Sequence, residues 1–312
     1  MRQTVESRIE FRGNGLHGGQ PVHMQIAPAP AGHGIVFLRS DLPADAARIP
    51  ARFDLVNDTR LCTKLTNAYG ASVSTVEHLM AALAGAGVSD ALILIDGPEV
   101  PILDGSSLLF TRALARAGLR RLTVKQPAIR VLKPVVVEDG GRTARLLPLA
   151  DDAISSLEVT FEIRFDDPAI GQQKYGLRIT PDAFAEELAE CRTFCHLAEV
   201  EGLRKIGLAR GGGLDNAIVV DRGRVLNPEG LRRPDEFVRH KMLDAVGDLA
   251  LAGAPIIGRY EGVLAGHEMT NRLLHALFEA EESWEWVDHQ PLIRTARRPY
   301  TLRPGEGAAL AV

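Results

Sequence analysis

Two short segments carry side chains that could hold a metal ion and move protons. The first is the pair Glu77-His78, and the second contains His240 and Asp244. His240 and Asp244 are four residues apart in segment 237–251, whose apolar residues recur at helical spacing, so both side chains should project from one helix face. Two imidazoles and one carboxylate leave a fourth tetrahedral position for water, as in catalytic zinc sites. The pattern therefore predicts a zinc hydrolase in which Glu77 is the base.

Each segment also has a simpler interpretation when it is taken alone. Glu77-His78 does not continue as the metalloprotease motif H-E-x-x-H, because the order is reversed and the residue four positions after His78 is Ala82. An isolated Glu-His pair is most often a surface dipeptide. His240 and Asp244 alone could form a helical ion pair worth only about 0.3–0.5 kcal/mol. Neither segment is sufficient evidence by itself.

Asp248 and His267 strengthen the hydrolase interpretation. Asp248 extends the face of Asp244 by another helical turn into an apolar stretch, where buried carboxylates need partners that a divalent cation can supply. His267 lies in a loop between a predicted strand and a predicted helix, and Asp248 could hold one of its ring nitrogens. His267 would then be an imidazolium that protonates a leaving amine.

The composition predicts a soluble globular protein rather than a nucleic-acid or membrane protein. The 312 residues are 46% hydrophobic and 24% charged, with a formal net charge of -4, so the electrostatic footprint of a nucleic-acid binder is missing. The longest apolar stretch, 79–95, is interrupted by two glycines, a serine and an aspartate, which argues against a membrane span. The opening residues lack the pattern of a secretion signal, and the three cysteines have no C-x-x-C spacing. We therefore expect a cytoplasmic protein with reduced thiols.

The elements that must position these residues are short strands and helices in both halves of the chain. Alternating apolar and polar residues predict the strands 5–11, 22–26, 35–38, 91–95, 129–137, 144–147, 157–165 and 256–264. Helix formers between start and stop signals predict the helices 78–83, 106–117, 184–191, 196–203, 237–251 and 268–280. Because strands are followed by helices in each half, we expect an α+β fold with two domains, 1–125 and 126–312.

A glycine-rich segment at 13–18 matches the dinucleotide fingerprint G-x-G-x-x-G. A pyrophosphate site needs a helix that begins at the third glycine, because the helix N-terminus supplies the N–H donors. Here Gly19, Gln20 and Pro21 lead into another alternating strand. We interpret the segment as a glycine-rich hairpin loop and not as a nucleotide site.

Several further strings resemble those of one enzyme family. They are Ser74-Thr75-Val76-Glu77-His78-Leu79, Pro101-Ile102-Leu103-Asp104-Gly105-Ser106, Arg192-Thr193-Phe194, the run 237–244, Gly247-Asp248-Leu249 and Gly266-His267, together with Leu61-Cys62-Thr63 and Gly15-Leu16-His17. In their order and spacing the chain resembles the bacterial UDP-3-O-acyl-N-acetylglucosamine deacetylases, over nearly its whole length. The resemblance implies hydrolysis of the N-acetyl group of a UDP-glucosamine that carries a 3-O-hydroxyacyl chain, the committed step of lipid A synthesis.

The resemblance also implies an architecture and a role for each site residue. The two domains would be similar, with their helix layers packed face to face between outer β-sheets. One zinc ion per chain would be held by His78, His240 and Asp244. The catalytic roles would fall on Glu77 as general base, His267 as general acid, Asp248 as the orienter of His267, and Lys241 and Thr193 as stabilisers of the oxyanion. A single bifunctional Glu77 is the alternative assignment.

The acyl chain of such a substrate needs an apolar passage, which we expect in segment 196–219, where small residues separate apolar ones. The expected substrate-binding residues, there and nearby, are Leu16, Leu61, Cys62, Phe194, Leu197, Val200, Ala209, Gly212, Gly213, Leu214 and Val219. Ordinary core packing is the simpler alternative for any one passage residue. Some relatives carry a lysine before a proline where this chain has Leu147-Pro148, so another cation must contact the diphosphate.

Two other functions remain open at this point. The chain could be a zinc amidase for another small amide, or a non-catalytic nucleotide-sugar binding protein. Glu77, Lys241 and His267 together argue against the second, because binding alone needs neither a base nor an acid. Ligands of the His and Asp type also suit Fe(II) or Co(II), so the choice of zinc rests on the resemblance. We expect a monomer whose partner is a small acylated UDP-sugar.

Overall fold

Strands and helices form in both halves of the chain, and the protein is a mixed α+β structure. The computed structural model describes residues 1–150 and 155–289. Its helices are α1 (Glu77–Ala86), α2 (Leu108–Ala117), α3 (Pro181–Ala183), α4 (Leu197–Lys205), α5 (Glu236–Leu249) and α6 (His267–Glu279). No helix in these ranges combines the length and the apolar character needed to cross a membrane.

The first half is built on a five-stranded sheet. The strands in this half of the chain are β1 (Gln3–Val5), β2 (Ile9–Asn14), β3 (Pro21–Pro28), β4 (Ile35–Arg39), β5 (Arg48–Pro50), β6 (Val56–Asp58), β7 (Lys64–Thr66), β8 (Ser72–Val73), β9 (Ala91–Ile95) and β10 (Leu119–Arg121). The main sheet has the order β2-β3-β9-β4-β5, while β6, β7 and β8 form a small sheet and β1 pairs with β10. Helix α2 packs against both β2 and α1, and the ring of Phe110 meets that of Phe11 edge-on at 5.0 Å.

The second half has a larger sheet centred on one long strand. The strands in this half of the chain are β11 (Pro127–Val131), β12 (Val135–Asp139), β13 (Arg142–Leu147), β14 (Leu157–Arg164), β15 (Gln172–Arg178), β16 (Phe194–His196), β17 (Ile218–Asp221), β18 (Arg224–Val225), β19 (Ile256–Val263) and β20 (Trp284–Asp288). Strand β19 pairs with β11 and β14 in parallel and with β13 antiparallel. Helix α5 packs on β14 and β15, and α6 packs on β12 and β13. A separate small sheet contains the parallel strands β16 and β17, which α4 connects.

Helices α1 and α5 pack directly against each other and join the two halves. Both are buried on nearly all sides, so neither has the wide polar face of a surface helix. Their backbones come so close that a Cβ atom at Gly247 would overlap the carbonyl oxygen of Glu77. The absence of a side chain at position 247 therefore allows the first turn of α1 to lie beside the middle of α5.

Three predicted elements differ from the structure. The predicted strand 129–137 is two strands, β11 and β12, because the connection contains Pro134, which has no N–H to donate to a ladder. The predicted strand 5–11 is likewise divided, since β1 ends at Val5 and β2 begins at Ile9. The predicted helix 184–191 is a π-helical turn, Phe184–Leu188, that follows the single turn α3.

Candidate metal centre and active site

Three buried side chains converge where α1 meets α5. His78 lies in the first turn of α1, and His240 and Asp244 lie one turn apart on α5. The Nε2 atoms of both histidines lie 3.4 Å from Asp244 Oδ1. One candidate ligand atom from each residue lies within 4.8 Å of the other two. The structure thus brings together the three residues that were expected to be metal ligands.

The surroundings of these side chains fit a divalent cation. Asp244 Oδ1 is buried and has no hydrogen-bond partner among the described residues, although a buried polar oxygen ordinarily has one. His240 Nδ1 donates to the carbonyl oxygen of Cys191 at 3.0 Å, so the lone pair of this imidazole is on Nε2, the atom nearest Asp244. A cation bound by the two Nε2 atoms and by Oδ1 would satisfy all three.

The charges around the cluster favour metal binding. Burial lowers the pKa of His240 to about 3, so its imidazole is neutral, as a ligand must be. Burial would also keep a proton on Asp244, but the opposite charges around it, that of Lys241 among them, hold the pKa of Asp244 well below its usual range. Lys241 Nζ donates to Asp244 Oδ2 at 2.7 Å, and the charge of Asp244 raises the pKa of Lys241 against the effect of burial. The site therefore combines a neutral His240 and an ionised Asp244 with one fixed ammonium group.

Thr63 connects the expected base to the expected partner of the acid. Its backbone N–H donates to Glu77 Oε2 at 3.0 Å, and its hydroxyl donates to Asp248 Oδ1 at 2.6 Å. Glu77 is the first residue of α1 and is buried, and this burial raises the pKa of Glu77 above its ordinary value. A carboxylate with a raised pKa is a stronger proton acceptor.

His267, the first residue of α6, is held by Asp248. Its Nδ1–H donates to Asp248 Oδ2 at 2.8 Å. Burial alone would lower the pKa of His267, but the charge of Asp248 and this hydrogen bond outweigh that effect and raise the pKa to about 9. His267 is therefore an imidazolium at neutral pH. The site contains both a carboxylate and an imidazolium, and two such groups can divide the base and acid roles.

A buried ion pair holds the turn at 191–194 against the start of α5. The backbone N–H and Nε of Arg192 both donate to Glu236 Oε1 at 3.0 Å, and both side chains are almost fully buried. This turn carries the Cys191 carbonyl that orients His240. Breaking this pair would leave an uncompensated buried charge. The pair therefore holds the turn firmly in place.

Thr193 and Phe194, which the resemblance implied as site residues, follow in the same turn. Thr193 donates its N–H to the carbonyl oxygen of Gly105 at 2.9 Å, which ties the turn to the first half of the chain. The ring centroid of Phe194 lies 6.2 Å from that of His240. Phe194 thus lies beside one of the candidate metal ligands, and Thr193 precedes it in the chain.

Three of the expected substrate-binding residues lie close together. Gly211 donates its N–H to the carbonyl oxygen of Leu16 at 3.0 Å. A Cβ atom at Gly212 would lie 3.5 Å from Leu16 Cδ1 and 4.0 Å from the Cβ atom of Ala209. A Cβ atom at Gly213 would point towards Asp215 and not towards Leu16, because it would crowd Asp215 Oδ1. Leu16, Ala209 and Gly212 therefore form one surface.

The other expected residues of segment 196–219 lie on α4, on β17 or in the connection between them. Leu197 and Val200 are on α4, a helix with no buried residue, and the accessible fractions of Leu197 and Leu214 are 39% and 41%. Asn227 joins Leu214 to Val219. Its side-chain NH2 donates to the carbonyl oxygen of Leu214 at 2.8 Å, and its Oδ1 accepts from the backbone N–H of Val219 at 2.9 Å. Core packing does not account for Leu197 and Leu214, since both are exposed.

Leu61 and Cys62 precede Thr63 and so lie near Glu77. Leu61 has a φ of 67° and a half-exposed side chain, whereas Cys62 is buried. Burial raises the pKa of the Cys62 thiol to about 12, and the charge of Glu77 adds to this effect. Cys62 is therefore a neutral thiol that offers an apolar surface.

Several residues that support the site received no role in the sequence analysis. Thr63 and Arg192 were noted only as parts of matched strings, and Glu236 and Ser107 were not noted. Ser107 donates its hydroxyl hydrogen to the carbonyl oxygen of His78 at 2.7 Å. The available signal was a polar residue beside a motif, but the partners are distant in sequence and no periodicity identifies them.

Comparison with known proteins gives one consistent result. A family model described as UDP-3-O-acyl N-acetylglycosamine deacetylase matches residues 2–279. A protein named UDP-3-O-acyl-N-acetylglucosamine deacetylase from Phenylobacterium zucineum is 50% identical over 284 residues, which are 91% of this chain and 95% of the relative. A protein of the same name from Shewanella frigidimarina is 43% identical, with 92% of this chain and 92% of the relative covered. Another, from Shewanella sp. (strain W3-18-1), is 40% identical, with 100% of this chain and 99% of the relative covered.

Proposed function

The chain belongs to the UDP-3-O-acyl N-acetylglycosamine deacetylase family, and from this premise we propose that it deacetylates UDP-3-O-(3-hydroxyacyl)-N-acetylglucosamine in lipid A biosynthesis. Water adds to the acetyl carbonyl carbon, the C–N bond breaks, and acetate and a free amine are released. The observation that supports this activity is the buried cluster of His78, His240 and Asp244, which has Glu77 and the His267–Asp248 pair around it.

We propose that the cluster holds one zinc ion per chain through His78, His240 and Asp244. When bound, zinc supplies Lewis acidity, which makes water more acidic and polarises the acetyl carbonyl. Two observations support this assignment: Asp244 Oδ1 has no hydrogen-bond partner in the described part of the chain, and His240 is neutral. Metal analysis of the purified protein distinguishes zinc from Fe(II), which the same oxygen and nitrogen donor set suits.

The remaining roles follow from the proton positions. Glu77, buried and held by Thr63 N–H, accepts a proton from the attacking water. His267, protonated because of Asp248, gives its Nε2 proton to the departing amine nitrogen. Lys241 and Thr193 stabilise the negative charge that develops on the carbonyl oxygen. A bifunctional Glu77 that both accepts and returns the proton is the competing assignment.

The function is tested by measuring acetate release from UDP-3-O-(3-hydroxyacyl)-N-acetylglucosamine before and after chelation. We expect chelation to abolish release and about one equivalent of zinc per chain to restore it, as a site with three protein ligands requires. The untreated enzyme, carried through the same buffer exchanges without chelator, is the control. No release from protein that contains zinc would refute the proposal and would favour an amidase for another substrate or a binding protein.

We further propose that Leu16, Ala209 and Gly212 line the acyl-chain passage, with Leu61, Cys62 and Phe194 at its inner end and Leu197, Val200, Gly213, Leu214 and Val219 along the unit formed by β16, α4 and β17. The partial exposure of Leu197 and Leu214 supports this, since neither is in the core. Because residue 147 is a leucine, Leu147, the diphosphate would be contacted by a lysine or arginine elsewhere in the chain.

Replacement of Gly212 by tryptophan is expected to obstruct this passage. A side chain there starts towards Leu16, so kcat/KM for a long-chain substrate should fall by about 10- to 100-fold, while a short-chain analogue should be affected far less. Gly202→Trp is the matched control, because position 202 on α4 has open space around it. Equal losses for both substrates in Gly212→Trp would contradict the passage assignment.

We also propose two domains, 1–125 and 126–312, with their helix layers face to face. In support, no described strand before residue 122 pairs with a described strand after residue 126, and α1 packs on α5. We propose that the enzyme is a cytoplasmic monomer; its free cysteines Cys62, Cys191 and Cys195 suit a reducing compartment. Sedimentation analysis of the purified protein would test the oligomeric state.

A further inference from the structure

The glycine-rich loop that resembles a dinucleotide fingerprint binds a carboxylate of the protein itself. Backbone N–H groups of His17 and Gly18 donate to Glu99 Oε1 and Oε2, both at 2.8 Å. Successive N–H groups directed at one anion form the kind of nest that binds phosphates elsewhere. A side chain at Gly15 would overlap the carboxylate, so the glycine there makes room for Glu99. The carboxylate is buried and satisfies donors that would otherwise be unpaired.

The same carboxylate also holds the turn that precedes the expected base. Thr75 Oγ1 donates to Glu99 Oε1 at 3.0 Å, and Ser74 forms a β-bridge with Glu99. Thr75 has a φ of 57°, which is an outlier for a β-branched residue and persists only where the surroundings hold it. Glu77 follows two residues later at the start of α1. The position of Glu77 therefore depends on a strained turn that is fixed through Glu99.

On its other side the loop contacts the proposed passage. Arg210 donates its N–H to the carbonyl oxygen of His17 at 3.2 Å, and Gly211 donates to that of Leu16 at 3.0 Å. A side chain at Gly211 would overlap the carbonyl oxygen of Gly15. The wall of the passage and the base-bearing turn are thus both attached to the loop that Glu99 holds.

We propose that Glu99 is a positioning residue that couples the Leu16 wall of the acyl passage to the Thr75–Glu77 turn. This inference rests on the proposed deacetylase function for its kinetic consequences. Both carboxylate oxygens accept from backbone N–H groups, so glutamine cannot replace Glu99: its NH2 group would face a donor. Loss of the carboxylate should release the loop and allow the turn to relax.

The kinetic test is Glu99→Gln, with Glu10→Gln as the matched control because Glu10 is exposed on β2. In Glu99→Gln we expect KM for a long-chain substrate to rise by about 10-fold and kcat to fall by about 10- to 100-fold, whereas a short-chain analogue should lose only the kcat part. Zinc content should stay unchanged. In Glu99→Ala, added formate should restore part of kcat saturably, because its carboxylate can occupy the nest.

A readout without substrate separates this inference from the proposed function. Amide exchange at His17, Gly18, Arg210 and Gly211 should accelerate by about 10-fold or more in Glu99→Gln, while exchange in α5 stays slow. If the wild-type enzyme released no acetate, the deacetylase proposal would fail, and the exchange pattern would still decide the coupling. Unchanged kinetics, absence of formate rescue, or acceleration spread equally over α5 would overturn the positioning role.

Discussion

Exchange of His267 for glutamine is expected to lower kcat by about 10²- to 10⁴-fold without loss of zinc. Glutamine keeps a polar side chain but cannot deliver a proton to the amine. The acid works only while protonated, so the wild-type rate should decline as pH rises through the pKa of His267, which Asp248 raises to about 9. A bound divalent cation would move this limb to lower pH by repulsion. The variant should lack the limb; pH profiles of kcat and metal analysis measure both effects.

Asp248→Asn is the companion experiment. It removes the charge that opposes the effect of burial on His267, so the alkaline limb should shift to lower pH and remain visible. Loss of zinc from His267→Gln would show that the assignment as an acid is wrong. An alkaline limb that persists in His267→Gln would instead favour a bifunctional Glu77.

Exchange of Gly247 for alanine is the second change with a large expected effect. Alanine ordinarily stabilises a helix interior relative to glycine by about 1 kcal/mol. At position 247 its Cβ atom would overlap the Glu77 carbonyl oxygen, and a backbone atom has no rotamer by which to move away. We expect α1 and α5 to separate, the free energy of unfolding to fall by about 1–3 kcal/mol, and zinc affinity to fall by at least about 10-fold. Denaturant unfolding and competitive zinc titration measure these quantities.

Gly202→Ala on α4 is the control for this experiment. Its Cβ atom would have nothing within 4 Å, so we expect stability to be unchanged or slightly higher and zinc affinity to be unaffected. Wild-type zinc affinity in Gly247→Ala would mean that the close approach of the helices does not set the geometry of the metal ligands.

The sequence predicted the helix of His240 and Asp244 well because their spacing and the apolar residues around them follow one period. It did not predict how Glu77-His78 reaches that helix, which depends on a backbone contact at Gly247; the two segments were grouped by their residue types and by the family resemblance. The role of Thr63 was missed for a similar reason, since its hydroxyl meets Asp248, 185 residues away. The predicted strand 129–137 was wrong because its apolar residues continue across the turn at Pro134.

The packing of α1 against α5 should also set the order in which the proposed metal site forms. One of the three proposed ligands lies in the first half of the chain, and the other two follow about half the chain later. A nascent chain that ends before α5 presents a single imidazole, so zinc incorporation must follow synthesis of the second half and association of the two helices. Because the three proposed ligands lie on both helices and are buried, conditions that separate α1 from α5 should also release the ion.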